Sequence, residues 1–355
     1  MAPTDNPHWV GTWTAAPAPG EGAAFNNHTL RMMPRVSIGG RILRVRVSNA
    51  YGTRPLAVGA AYVGVRGSGP AVVAGSNRRL TFGGESSATI AAGALLISDP
   101  VELEVAPLSD VAVSVHLPGD LPASFGITGR YARQTNYISP PGDFAAEDVM
   151  PVGRLTDANI STHDGHHSWP SQLARRLIAR PSGRPIAVMN QGLGGNRILH
   201  DIRGDSGLRR FDRDVLAQPG VTHAIVMLGT NDLRNRPGKP EEEVTAAQMI
   251  AGLKQLAVRG RSRGIKMIPA TLTPFENETF LPGAWNPRRE AVRQAVNEWL
   301  RKVEGFDALA DFDRALRDPE HPTRMLPIYD CGDHLHPSDL GYRAMGDAID
   351  LSLFA

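Results

Sequence analysis

At 355 residues the chain exceeds one typical domain and allows two substantial hydrophobic cores. A hydrophobic fraction of 41% with 21% charged residues excludes a disordered or fibrous class. A formal net charge of +2, with the basic residues scattered instead of gathered into a stripe, argues against a nucleic-acid partner.

In chain order, residues 1–13 carry no basic segment followed by an apolar one, and no apolar run approaches the roughly 20 residues needed to cross a bilayer. The expectation is a cytoplasmic protein without a membrane partner. Residues 41–48 and 110–117 alternate apolar and polar side chains, each with one apolar face. Shorter runs of the same kind recur at 57–65, 88–90 and 101–105, separated by Gly, Pro, Ser and Asn turn signals. This pattern predicts an antiparallel, jelly-roll-like β-sandwich over residues 1–145. The run Ser139, Pro140, Pro141, Gly142, Asp143 then breaks regular structure and sets the boundary.

Residues 146–355 change to alternating strands and helices. The runs 185–189 and 224–228 are continuously apolar, as strands buried on both faces require. Residues 246–259 place Met249, Ile250, Leu253, Leu256 and Ala257 on one helical face. A strand at 266–270 and an amphipathic helix at 288–303 follow. The predicted fold class is α/β: a three-layer, flavodoxin-like α/β/α domain of about five parallel strands, preceded by the β-sandwich. Sheets of this kind carry their sites in the loops that follow the strands.

Cys331 is the one cysteine, which excludes a disulfide framework and a multi-cysteine metal site. His163, Asp164, His166 and His167 are zinc-type donors, but they lack the helical i, i+4 histidine pair with an intervening Glu. Neither a metal nor a cofactor is expected. The sequence leaves the oligomeric state open.

Three loops carry a resemblance. They are residues 190–196 (Asn-Gln-Gly-Leu-Gly-Gly-Asn), 229–232 (Gly-Thr-Asn-Asp) and 333–337 (Asp-His-Leu-His-Pro). Together they resemble three of the four sequence blocks of the SGNH/GDSL hydrolase family. Residues 9–13, 48–52 and 134–137 resemble the β-rich N-terminal part of an actinobacterial-type subgroup, so the likeness spans essentially the whole chain. The resemblance implies an oxyanion hole from the Gly195 amide and the Asn231 side chain, with His336 as base and Asp333 as its orienter. Such a set works because preorganised donors meet the oxygen that gains charge, while a carboxylate fixes the tautomer of a histidine. Each loop alone has a plainer reading as a tight turn or helix cap; their order along the chain is what makes the match specific.

The first block departs from the family. Where Gly-Asp-Ser, an apolar residue and Thr-Asp-Gly are expected, the chain reads Val152, Gly153, Arg154, Leu155, Thr156, Asp157, Ala158. The downstream markers Ser161, Thr162, Asp164, Trp169 and Pro170 keep the family's spacing, so Arg154 falls on the nucleophilic serine. Removing a triad serine costs about 10⁶-fold in turnover and leaves about 10³–10⁴-fold over water. Ser161 and Thr162 match structural positions of the family, and Cys331 reads as a small thiol beside Asp333. His334, alternating with His336, reads as structural.

Arg154 has two readings: a drifted residue paired with a carboxylate such as Asp157 or Asp333, or a charged, forked donor for a carboxylate, phosphate or enolate oxygen. In the second, its charge would also oppose protonation of His336. The leading functional expectation is an enzyme on a small, natural-product-like molecule, with His336 and Asp333 as general acid/base and with Gly195, Asn231 and Arg154 binding substrate. Isomerisation, elimination, cyclisation and acyl transfer to a hydroxyl all fit. The alternatives are ester or lactone hydrolysis by His336-activated water, and a relative that only binds a ligand or carbohydrate. Retention of Asp333, His336, Gly195 and Asn231 together argues against the last.

Overall fold

The computed structural model describes residues 8–19, 24–121, 134–156, 162–235 and 239–355. The chain divides into two compact units, one of residues 17–166 and one of residues 1–16 with 167–355. The boundary expected near residue 145 therefore falls inside the first unit.

In the 17–166 unit the strands are β1 (Phe25–Met32), β2 (Gly40–Leu43), β3 (Arg46–Ser48), β4 (Leu56–Val58), β5 (Ala60–Val65) and β6 (Arg78–Arg79). They continue as β7 (Ala88–Ile90), β8 (Leu95–Ile97), β9 (Val101–Val105), β10 (Val111–Leu121), β11 (Asn136–Pro141) and β12 (Arg154–Thr156). Six of them form one sheet in the order β12-β11-β1-β10-β5-β6, and β2-β9, β3-β8 and β4-β7 pair separately. All the pairings are antiparallel. The run 41–48, expected as one strand, is two: β2 pairs with β9 and β3 with β8, with the break between them.

β10 is buried on both faces from Val111 to Leu117, not on one. Val111, Val113, Val115 and Leu117 enter the main core with Val63 and Leu103. The opposite face is closed by buried Arg31 of β1, which donates to Ser114 Oγ at 2.8 Å, Pro70 O at 2.6 Å and Glu147 O at 2.5 Å. A buried guanidinium is tolerable because each acceptor it lost in water is replaced. β12 explains the displaced boundary: Ile138 and Arg154 stand opposite each other in the β11–β12 ladder, so the sheet extends past residue 145.

In the other unit the helices are α1 (Trp169–Ile178), α2 (Gly207–Phe211), α3 (Thr230–Leu233), α4 (Ala246–Arg261), α5 (Pro287–Arg301), α6 (Phe312–Leu316) and α7 (Asp339–Asp347). Pro170 lies in the first turn of α1, where its missing N–H leaves no bond unmade. α4 begins where its sequence signals it, with Thr245 and Gln248 forming a reciprocal capping box. Its buried face is Met249, Leu253, Leu256 and Ala257, as the periodicity predicts.

The parallel sheet is smaller than expected. β13 (His223–Val226) and β14 (Lys266–Pro269) pair in parallel, and Ala270 bridges Ala310 in the same sense. Among the described residues no ladder includes 185–189, although Ile186 and Val188 pack against the core that Ile268, Ala310 and Phe312 form. Residues 154–156 of the first block pair with β11. Among the described residues no helix is long and apolar enough to cross a membrane.

Candidate active site

Of the site residues in the 1–16 and 167–355 unit, Gly195, Asp333 and His336 sit in loops and Asn231 in the single turn of α3. Residues 330–337 fold back on themselves: Asp330 and Pro337 form an isolated bridge, and Cys331 N donates to His336 O at 3.1 Å. Inside this loop Asp333 Oδ1 accepts the amides of Leu335 at 2.9 Å and His336 at 2.7 Å, leaving Oδ2 for the ring. His336 Nδ1 lies 2.7 Å from Asp333 Oδ2. Burial opposes ionisation of Asp333, but the bonds from the His336 ring and amide outweigh it and hold the carboxyl well below the usual carboxylate range. An ionised carboxylate can only accept, so Nδ1 donates in this contact.

The ring of Phe280, from the loop between β14 and α5, meets His336 edge-on with centroids 5.4 Å apart. Thr279 N donates to Asp333 O at 3.1 Å, so the same loop is tied to the carboxylate's own backbone.

The expected oxyanion donors come from two other loops. Gly195 has φ +78°, and a Cβ there would stand 3.0 Å from Arg203 Cγ, so the turn requires glycine. Asn231 Nδ2 donates to Asn196 O at 3.2 Å, which brings the side chain to the residue next to Gly195. Asp232 locks the two loops together by accepting the Ile198 amide at 2.8 Å and the Leu199 amide at 3.0 Å. Its burial raises its pKa, while those amides favour the charged form. Gly229, at φ +128°, could not carry a Cβ without meeting Met249 Cε at 2.8 Å.

Arg234 was not singled out by the sequence, yet it touches Asn231. Its Nη1 donates to Asn231 Oδ1 at 2.8 Å. The fork formed by Nε and Nη2 pairs with both oxygens of Glu278 at 3.1 Å. The only sequence signal for this was the three-residue spacing from Asn231 to Arg234. Glu278 and Phe280 lie in the loop between β14 and α5, where no sequence motif marks them.

Arg154 belongs to the 17–166 unit, in β12. Asp157, Ala158 and Ser161 lie outside the described residues. The histidines 163, 166 and 167 take separate partners: Thr135 Oγ1 at 2.8 Å, Asp110 at 3.5 Å and Asp339 at 2.8 Å. His334 pairs with Asp330 Oδ2 at 2.6 Å. Asp330, Cys331 and Asp333 bring donor atoms within 4.8 Å of one another, but His334 and His336 already engage both carboxylates. Partial burial, and then the Asp333 and Asp330 charges, push the Cys331 thiol up to about 11. A thiol held that high is protonated near neutrality and a poor nucleophile.

The sequence profile of the GDSL-like lipase/acylhydrolase family matches residues 154–344, more than half of the chain, and the chain belongs to that family. Among solved structures it is similar to a G-D-S-L family protein from Desulfitobacterium hafniense DCB-2, with 23% identity over 52% of this chain and 86% of that one at a TM-score of 0.39. It is also similar to a GDSL-like lipase from Bacteroides thetaiotaomicron VPI-5482, with 17% identity over 47% of this chain and 75% of that one at 0.37. An acetylxylan esterase from Geobacillus stearothermophilus shares 20% identity over 53% of this chain and 81% of that one at 0.40. No curated protein matches the chain.

Proposed function

We propose that this chain is an enzyme of the GDSL hydrolase fold that works without an acyl-serine. His336, oriented by Asp333, moves a proton on a small-molecule substrate, and Gly195 and Asn231 receive the oxygen that gains charge. The observation that carries this reading is the 2.7 Å contact between His336 Nδ1 and Asp333 Oδ2, made by a carboxylate whose other oxygen is fixed by two amides. The serine position of the family is occupied by Arg154, whose forked charge would suit an anionic oxygen and which supplies no hydroxyl. Isomerisation, elimination, cyclisation or acyl transfer to a hydroxyl, as in a biosynthetic step, needs only this set. The N-terminal strands are read as a jelly-roll-like sandwich, and neither nucleic acid nor a bilayer is a partner.

A second reading, hydrolysis of an ester or lactone by His336-activated water, is favoured by membership of an acylhydrolase family and by an Asn231 amide whose Nδ2 is held as a donor. The test compares wild type with His336→Ala on small esters, lactones and β-hydroxy carbonyl compounds in deuterated water, followed by NMR. Conversion or deuterium incorporation that His336→Ala lacks supports the proposal. Conversion unchanged in His336→Ala overturns it, and release of acid from ester or lactone alone selects the second reading.

A further inference from the structure

We infer that Arg234 is a positioning residue that serves both halves of the site through one guanidinium, fixing which atom of the Asn231 amide faces substrate and holding the Phe280 ring on His336. The inference rests on the proposed roles of Asn231 and His336, and it concerns how those side chains are held.

The geometry starts at α3, a single turn, which places Arg234 three residues after Asn231 and therefore beside it. A guanidinium offers only donors, so its 2.8 Å contact with Asn231 must be to the carbonyl oxygen. That contact decides the flip of the amide and makes the other end the donor. Asn231 Nδ2 has two hydrogens and gives one to Asn196 O, which leaves the second for a substrate oxygen. Asn196 O, which can only accept, demands the same orientation, so it and Arg234 fix the amide from its two ends. A flipped amide would offer an acceptor where the developing charge needs a donor.

The opposite edge of the same guanidinium forms a two-bond fork with Glu278, whose side chain is 1% exposed. Glu278 is more than a counter-ion, because its Oε2 also accepts the amides of Phe280 at 3.0 Å and Leu281 at 3.2 Å. The carboxylate thus shapes the turn that carries Phe280, and Phe280 meets His336. The path from oxyanion donor to base runs Asn231, Arg234, Glu278, Phe280, His336, each step a direct contact and none of it through the backbone of residues 330–337. Lysine could not replace the arginine, since a single ammonium cannot present a fork to Glu278 and a third donor to Asn231.

The experiment is NMR on the isotope-labelled full chain, which reads both contacts whether or not His336 is catalytic. In wild type, Phe280 ring protons should show cross-relaxation to the His336 ring protons, and the Asn231 side-chain NH₂ should give a resolved, exchange-protected pair. Arg234→Met is expected to lose both. Glu278→Gln is expected to lose or weaken the Phe280 to His336 contact while leaving the Asn231 pair intact, because Arg234 remains. Both signals unchanged in a folded Arg234→Met would overturn the inference. Should Arg234→Met fail to fold, Glu278→Gln decides: a Phe280 to His336 contact as strong as in wild type would overturn it. If the signals change as expected but His336→Ala converts the small carbonyl probes as well as wild type does, the proposed function falls and the positioning role stands.

Discussion

The Nδ1 atom of His336 lies 2.7 Å from Oδ2 of Asp333, and the amide of the same histidine lies 2.7 Å from the carboxylate's other oxygen. One residue therefore holds both the ring and the backbone of its partner. Asp333→Asn should keep the packing but allow the wrong imidazole tautomer, because an amide can donate to Nδ1. Turnover of whichever probe the wild type converts is expected to fall by about 10³–10⁴-fold with little change in KM. Steady-state kinetics of the variant would check it, and a loss below tenfold would separate Asp333 from the base.

The same contact has a pH consequence. Asp333 is held below its ordinary pKa by the His336 ring and amide, which overcome its burial. A group depressed on folding contributes stability that is present above its unfolded pKa, about 4, and is lost as pH falls towards the folded value. Asp110, Asp311 and Glu276 are depressed as well. The urea midpoint should therefore fall steadily below about pH 4 to 5. In Asp333→Asn that slope should be shallower, and an identical slope would mean that the pair does not form in solution.

A buried charge cluster predicts where stability is concentrated. Asp313, fully buried, accepts Arg293 Nη1 and Arg301 Nη2 at 2.6 Å each, and Arg317 Nη1 at 3.1 Å. Arg293, also fully buried, forks onto Glu290 as well. Asp313→Ala would strand a buried guanidinium and is expected to cost about 3–5 kcal/mol. Arg301, partly exposed, should matter less. Chemical denaturation of Asp313→Ala and Arg301→Ala gives the comparison, and equal losses would contradict it.

Local features are legible in the sequence and distant pairings are not, and the reason is physical. The Asp-x-x-His loop, the glycine turns and the helix starts are local: the Asp333 carboxylate closes on amides two and three residues away, and Thr245 caps α4 through Gln248. Short spacing makes such features readable from sequence. Pairing between distant strands is not local. Among the described residues the apolar run 185–189 enters no ladder despite a strand's composition, and residues 154–156 pair with β11. Arg234 and Glu278 were equally illegible, because 44 residues separate the two halves of their ion pair.

Cys331 supplies a further test of which group does the chemistry. With its thiol pushed up to about 11, alkylation by iodoacetamide should be slow at pH 7 and accelerate as pH rises above 9. Cys331→Ser should leave turnover within a few-fold of wild type. Loss of turnover in that variant, with fast alkylation at pH 7, would make the thiol the nucleophile.

Arg154→Ser would restore the family's residue type, but Val152, Gly153 and Ala158 would still differ from the family's turn. Hydrolysis of 4-nitrophenyl acetate should rise at most weakly over wild type. A gain of several orders of magnitude would mean that the remainder of a serine triad is intact and only its nucleophile is missing.

On the proposed mechanism no side-chain hydroxyl of this protein becomes an acyl-enzyme. Intact-protein mass spectrometry after incubation with a fluorophosphonate probe tests it most directly. The wild-type chain is expected to keep an unmodified mass, since Arg154 supplies no hydroxyl. A stoichiometric adduct mapped by peptide mass spectrometry to Ser161, Thr162 or any other hydroxyl residue would contradict it.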